Sequence, residues 1–402
     1  MKYASRMDVV RGSVIRDVAT EISSRNNPNL IKLSGGLPDG NLFPMKGLAA
    51  AAERIFSDKV LYMEALQYGL TRGDTELVEL ICERMNRVEG LGIKPENILI
   101  TTGCQQGISM CSTALLDEGD TILIEKPSYL DGLNGALPYR PNIVGVETDN
   151  EGICLDSLKR ALDANPNTRI VYVIPNFQNP TGRAWTFERR KDFLELMERP
   201  EYADIAILED NPYGEIRFRG EKVPCLKALD KRGQVVYLGS YSKILCPGLR
   251  VAYVISDDVR FIDRLEEIKE GADLQSNQFA QVQVREFMKM FDLDAHVQGL
   301  CANYKERCDA LAGALRREFS KGVTFAEPDG GMFLYIWFDN KDIDTGKMLK
   351  EALDAEVSYI PGASFNADGS GWNAARLNYT ANDIPTLQEG VRRLAKVFGP
   401  KL

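Results

Sequence analysis

"QVVYLGSYSKILCPGLRVAYVIS", residues 234–256, contains two apolar runs, 234–240 and 250–256, joined by a short polar link. Both runs are rich in Val and Tyr and almost unbroken by charge. That is the pattern of strands buried on both faces of a mostly parallel sheet. A parallel neighbour needs a crossover of a dozen residues or more, usually a helix. The link here is too short for one, so one strand of the pair is expected to run antiparallel. It also places Lys243, whose charge is costly to bury, just past the end of an apolar strand, with serines beside it and Arg250 close behind.

Working outward, similar runs occur at "ILIT" (98–101), "TILIE" (121–125), "RIVYVIP" (169–175) and "DIAILED" (204–210). Amphipathic segments at 104–117 and 183–198 supply crossover helices. The sequence therefore predicts an α/β fold: a large domain over 48–290, with a mostly parallel sheet flanked by helices. After 291 the texture changes to a long helical stretch, "GGMFLYIWF", a helix over 346–354, the short strand "VSYI" and a final helix. This reads as a smaller α+β domain, 291–402. Residues 1–47, with a helix near 11–25 and the turn-rich "LSGGLPDGNLFP", are expected to pack beside it.

Composition narrows the function. The 402 residues are 44% apolar, enough for substantial cores. Lys and Arg total 49 against 58 Asp and Glu, a net charge of −9, which offers nothing to nucleic acid or an anionic membrane. No run approaches the roughly 20 apolar residues that span a bilayer. The opening "MKYASRMDVVRGSVIRDV" lacks the apolar core of a signal peptide. Eight scattered cysteines without paired spacing suggest reduced thiols in a cytoplasmic protein, not a disulfide frame or zinc site. With His296 the only histidine, no His-based nucleophile system or His-rich metal site is available, and no metal is expected.

Ligands of open α/β sheets bind beyond the carboxyl ends of the strands. At those ends stand Gly103-Cys104-Gln105, Tyr129, Asn179 within "NFQNPTG", Asp210 with Tyr213, and Ser240, Ser242 and Lys243. The turn at 103–105 opens a helix, where free N–H groups favour a phosphate. Ser240, Ser242 and Arg250 add donors to the same anion. Lys243 is then an imine-forming amine. Asp210 at a buried strand end needs a cation, and a protonated pyridine nitrogen is one. Tyr213 and Asn179 can donate to a phenolic oxygen, and Tyr129 offers a ring face. Phosphate, aldehyde, pyridinium and phenolate together describe pyridoxal 5′-phosphate.

The chain resembles the fold type I pyridoxal-phosphate aminotransferases of class I/II, closest to the 2-aminoadipate and kynurenine-type subgroup. The resemblance is carried in order by "LSGGLPDGNLFP", "LQYGLTRGDTELVELI", "TTGCQQGI", "KPSYLDGL", "NFQNPTG", "EDNPYGE", "GSYSKILCPGLRVAY", "PDGGMF", "YIPGASF" and "ARLNYT". It implies transfer of an α-amino group to a 2-oxo acid, 2-oxoglutarate by expectation, in a ping-pong reaction. It makes Lys243 the covalent cofactor partner, Asp210 the ring-nitrogen partner, Tyr213 and Asn179 the phenolate donors and Tyr129 the stacking ring. Gly103, Cys104, Gln105, Ser240, Ser242 and Arg250 form the phosphate cup.

The resemblance also implies a homodimer in which Tyr68 reaches the partner subunit's phosphate. Arg376 takes the substrate α-carboxylate, with Asn179 and the backbone near Gly36. Arg16 in "GSVIRDV" would approach an acidic substrate side chain, against the reading of a plain helix-surface arginine. Cys104 departs from the serine of close relatives, keeping a backbone N–H but losing a hydroxyl. The Lys126–Pro127 and Asn179–Pro180 bonds are expected to be cis. Two other classes use this scaffold: a β-lyase acting on cysteine conjugates, and an effector-binding regulator behind a winged-helix DNA reader. The 33 residues before "SGGLP" are too few for such a reader.

Overall fold

The structure, a computed structural model, describes residues 1–24 and 27–402. It opens with helix α1 (Val14–Ser24) and a two-residue strand, β1 (Ile31–Lys32). Helices α2 (Met45–Ser57), α3 (Lys59–Leu66) and α4 (Thr75–Val88) follow. Asp58 and Asp74 cap α3 and α4, each carboxylate accepting first-turn N–H groups that have no partner within the helix.

The central sheet uses β2 (Ile98–Thr101), β3 (Thr121–Lys126), β4 (Asn142–Glu147), β5 (Thr168–Val173), β6 (Ala206–Asp210), β7 (Val235–Ser240) and β8 (Ala252–Ile255). Their spatial order is β2-β8-β7-β6-β5-β3-β4. The pairs from β4 through β7 are parallel. Strand β8 is antiparallel to both β7 and β2, so it is the reversed strand that the short 241–249 link required. The apolar runs are buried almost throughout, as the sequence implies. Strand β4 was not anticipated: its "NIVGVE" is an edge strand with one fully buried residue, and Asn142 and Gly145 interrupt the apolar signal.

Helix α5 (Cys104–Leu115) leaves β2, α6 (Leu155–Ala164) links β4 to β5, and α7 (Phe187–Met197) links β5 to β6. The helix expected from 183 starts later because Thr186 caps it, its hydroxyl accepting from Arg189 N. A short helix, α8 (Leu226–Leu229), precedes β7, and α9 (Val259–Ala272) and α10 (Gln278–Met290) follow β8.

Helix α11 (Leu293–Glu318) then leads to β9 (Val323–Phe325), β10 (Phe333–Phe338), α12 (Thr345–Asp354), β11 (Val357–Ser358), β12 (Ile360–Pro361), β13 (Ala374–Asn378) and α13 (Ile384–Phe398). Four of these strands form an antiparallel sheet in the order β12-β13-β10-β9. The expected single strand "VSYI" divides at Tyr359: β11 pairs in parallel with β1, while β12 joins the antiparallel sheet. Residues Ile31 and Leu33 pack on Gly390 of α13.

One geometric consequence positions the site. Because β8 is reversed, its amino end lies at the same edge as the carboxyl ends of β2, β3, β5, β6 and β7. Arg250, just ahead of β8, thus arrives beside the turns that follow the other strands. The Lys126–Pro127 and Asn179–Pro180 peptides are both cis, as expected.

Candidate active site

A cavity of about 230 Å³ opens at this edge and is lined by Gly36, Cys104, Gln105, Tyr129, Asn179, Asp210, Tyr213, Ser240, Ser242, Lys243, Arg250 and Arg376, with Ile15, Ile108, Ile174, Pro212, Pro247 and Phe333. Residues far apart in sequence therefore converge as the strand-end rule predicts.

The anion end is built from backbone. Gly103 caps α5 at φ +85, in the left-handed region open to glycine, and a Cβ there would run into Arg250 Nη2. At the start of α5 the N–H groups of Cys104 and Gln105 lie ahead of the first intrahelical bonds, and both residues line the cavity. Ser240 Oγ donates to Ser242 Oγ at 2.9 Å, and Ser242 N donates to Ser240 Oγ at 3.0 Å. Arg250, itself left-handed at φ 56, donates from Nη2 to Thr102 O at 3.1 Å. The Gln105 side chain is anchored by Nε2, which donates to Gly132 O at 2.8 Å.

Lys243 Nζ donates to Gly36 O at 3.0 Å. Burial holds its pKa well below the ordinary 10.5, down to about 8, with the Arg376 and Arg250 charges adding to the effect. The lowered pKa raises the neutral, nucleophilic fraction of the amine at neutral pH. Gly36 thus contributes a carbonyl to the lysine.

Asp210 closes β6. Its Oδ2 accepts from Tyr172 Oη at 2.7 Å, while Oδ1 is buried and has no partner among the described residues. Burial pushes its pKa up to about 6, against the opposing effects of Tyr172, Cys104 and Lys243. A buried carboxylate oxygen left unsatisfied fits a cationic N–H donor. Cys104 lies near this carboxyl and donates from Sγ to Gly239 O at 3.6 Å; burial and the Asp210 charge keep its thiol protonated. Tyr129 is likewise held protonated, its pKa raised to about 12 by burial.

The opposite end of the cavity is cationic. Arg376, on β13 and fully buried, donates from Nη1 to Asn179 Oδ1 at 2.8 Å and from Nη2 to Ser34 O at 2.9 Å. Its guanidinium lies over Phe333 at 4.2 Å and Phe365 at 5.2 Å. Its Nε is buried without a partner among the described residues. Phe333 also meets Tyr213 edge-on at 5.7 Å, so one ring braces both the cation and the phenol.

Two of the expected residues stand outside the cavity. Tyr68 is 78% exposed and does not line its own chain's cavity. Arg16 is on the exposed side of α1, while its neighbour Ile15 lines the cavity. Tyr172, Phe333 and the Ser34 carbonyl were not anticipated. A tyrosine amid the aliphatic residues of "RIVYVIP" is the one signal that could have revealed Tyr172, because a buried phenol seeks a partner.

An anion cup, a lysine with a depressed pKa and a carboxylate lacking one partner, all beyond a mostly parallel sheet, fit pyridoxal 5′-phosphate and define a fold type I enzyme. The chain matches the family "aminotransferase class I and II" over residues 28–394. It is 36% identical to aromatic-amino-acid aminotransferase 1 of Thermococcus litoralis, over 99% of this chain and 94% of that protein. The crystal structure of Pyrococcus horikoshii kynurenine aminotransferase in complex with PMP superposes with a TM-score of 0.92 at 33% identity, covering 100% of this chain and 97% of that one. LysN, the α-aminoadipate aminotransferase of Thermus thermophilus, complexed with N-(5′-phosphopyridoxyl)-L-leucine, gives a TM-score of 0.89 at 33% identity, covering 99% and 97%. The chain belongs to the class I and II aminotransferases, in the 2-aminoadipate and kynurenine-type subgroup. It is a pyridoxal-phosphate-dependent enzyme that transfers amino groups of amino acids.

Proposed function

We propose that the enzyme moves the α-amino group of an amino acid to 2-oxoglutarate in a ping-pong cycle, with Lys243 as its covalent and proton-transferring residue. The observation that carries this reading is the meeting of Lys243, Asp210 and Arg376 around one cavity. When bound, the cofactor supplies an electron sink for the bond broken at the substrate Cα. Arg376 orients the α-carboxylate, with Asn179 fixing the guanidinium plane. Lys243 Nζ, held in the cavity with a lowered pKa, would take the proton from the substrate Cα and hold it for return. Asp210, with its buried and unpartnered Oδ1, would hold the pyridine nitrogen and keep it protonated. Tyr213 and Asn179 would donate to the phenolic oxygen, and Tyr129 would cover the ring. The α5 N-terminus (Gly103, Cys104, Gln105), with Ser240, Ser242 and Arg250, would hold the phosphate.

Tyr68 is assigned to the partner subunit's phosphate in a homodimer. Its exposure supports this, as does the run of exposed apolar residues Phe56, Val60, Met63, Leu66 and Leu70 around it. Arg16, outside the cavity but with its charge acting on Tyr129 at the cavity wall, is assigned to acidic substrate side chains such as those of glutamate and 2-aminoadipate. Aromatic amino acids, named for the Thermococcus relative, extend the expected donors. The eight unpaired cysteines support a reducing, cytoplasmic setting.

A half-reaction screen tests the proposal. Single amino acids are mixed with holoenzyme and the change of the cofactor to its amine form is followed by absorbance. Acidic and aromatic donors should convert it, and 2-oxoglutarate should reverse the change. Release of ammonia and pyruvate from substrates with a β-leaving group, with no amine form produced, would replace the reading with a lyase.

A further inference from the structure

The carboxyl group of Asp210 is held from behind. Tyr172, on β5, is fully buried and its phenol donates to Asp210 Oδ2 at 2.7 Å. Oδ1 is left without a partner among the described residues. The groups facing Asp210 come from every element around it: Tyr172 from β5, Cys104 from α5, Lys243 after β7, Tyr129 after β3 and Tyr213 after β6. Of these, Tyr172 is the one hydroxyl shown to donate to the carboxylate.

Space is reserved for this contact. A Cβ on Gly132 would lie 3.3 Å from Tyr172 Oη and 3.0 Å from a Tyr129 ring carbon. Gly132 is itself tied to the anion end, its carbonyl accepting from Gln105 Nε2. A side chain there would press on the phenol that holds Asp210 and on the ring that covers the cavity.

We propose that Tyr172 is a positioning residue for Asp210, locking Oδ2 by a hydrogen bond so that Oδ1 is the oxygen presented, ionised, to the ring nitrogen. This rests on the assignment of Asp210 to that nitrogen. The physical reason is that a hydrogen bond to the charged form of an acid favours that form and fixes its orientation. Burial alone pushes Asp210 toward the neutral acid. Neutral, it would present no negative charge to a pyridinium.

The test uses apo-protein and cofactor binding. Tyr172→Phe, Asp210→Asn and the double variant are purified without cofactor and checked for native fold by circular dichroism. Infrared difference spectra, with Asp210→Asn as the blank, follow protonation of the Asp210 carboxyl. In Tyr172→Phe the midpoint should rise by about one pH unit, and the dissociation constant for pyridoxal phosphate should rise roughly tenfold. In the Asp210→Asn background the same change should alter affinity by less than about twofold. An unmoved midpoint, or an equal loss in both backgrounds, would make Tyr172 a packing residue and overturn the proposal. Wild-type affinity in Asp210→Asn would instead remove the ring-nitrogen assignment, and the proposal with it. If Tyr172→Phe fails to fold, site-specific incorporation of a ring-fluorinated tyrosine keeps the ring and strengthens the donor. The midpoint should then fall, and a midpoint that stays put overturns the proposal.

Discussion

Arg376 and Asn179 meet at 2.8 Å, Nη1 to Oδ1, although one lies on β13 and the other in the turn after β5. The planar guanidinium is pinned on one side by this amide and on another by the Ser34 carbonyl. Lysine offers no such fork. Arg376→Lys should lower kcat/KM for amino acids by roughly a hundredfold or more, about 3 kcal/mol, while leaving cofactor affinity within about threefold. Steady-state kinetics beside a cofactor titration check this. Loss of cofactor binding of the same size would move Arg376 from the substrate to the cofactor.

Lys243→Met should abolish turnover and the absorbance of covalently held cofactor. It should also stabilise apo-protein at neutral pH. The folded pKa of about 8 lies below the ordinary 10.5, so the unfolded chain binds more protons between those values. The folded state therefore carries the full cost of the buried charge below about pH 8, and that cost fades as pH rises toward 10.5. Thermal melts of the apo forms across that range should show the variant's advantage shrinking with rising pH.

For Asp210 the sign reverses. Its folded pKa of about 6 exceeds the ordinary 3.8, so the folded state binds more protons in that window. The cost of keeping it ionised is complete above about pH 6 and absent below about pH 4. Apo Asp210→Asn should be more stable than wild type at pH 7, by on the order of 3 kcal/mol before the altered Tyr172 bond is counted. The gain should vanish near pH 4. Catalysis should move the opposite way, falling by several orders of magnitude at pH 7. A wild-type rate would remove Asp210 from the mechanism.

Gly103→Ala places a methyl against Arg250 at a left-handed φ. Cofactor affinity should drop at least tenfold, with a stability loss of about 1–2 kcal/mol. Equilibrium dialysis of the cofactor beside chemical denaturation measures both.

Subunit mixing addresses Tyr68. Lys243→Ala chains lack the reacting amine, and Tyr68→Ala chains should bind phosphate weakly. If Tyr68 serves the partner's site, a mixed dimer contains one site with both groups intact. Activity should then exceed the sum of the separate variants. Absence of any gain after subunit exchange would place Tyr68 in its own subunit's chemistry or in none.

Much of this site could be read from sequence because its parts follow apolar runs. Asp210 and Lys243 are polar residues stranded at the ends of "DIAILED" and "QVVYLGS", where burial is costly without a partner. The reversed β8 was forced by the length of one link. What stayed hidden depends on facing instead of order. Tyr172 reads as one more core aromatic until its hydroxyl is seen against Asp210. Whether Ile15 or Arg16 turns toward the cavity depends on the rotation of α1, which adjacent residues on a helix do not reveal. Strand β4 was missed because an edge strand need not be continuously apolar.

The Arg376 bonds to Ser34 and Asn179 have a further consequence, because they join the beginning, middle and end of the chain at one point. Only a fragment that spans at least residues 34–376 holds all three members of this cluster. During refolding, recovery of amino-acid turnover would therefore report docking of the last β-strand onto the rest of the molecule, well after local helices have formed. A nascent chain lacking its final segment is held silent by topology alone.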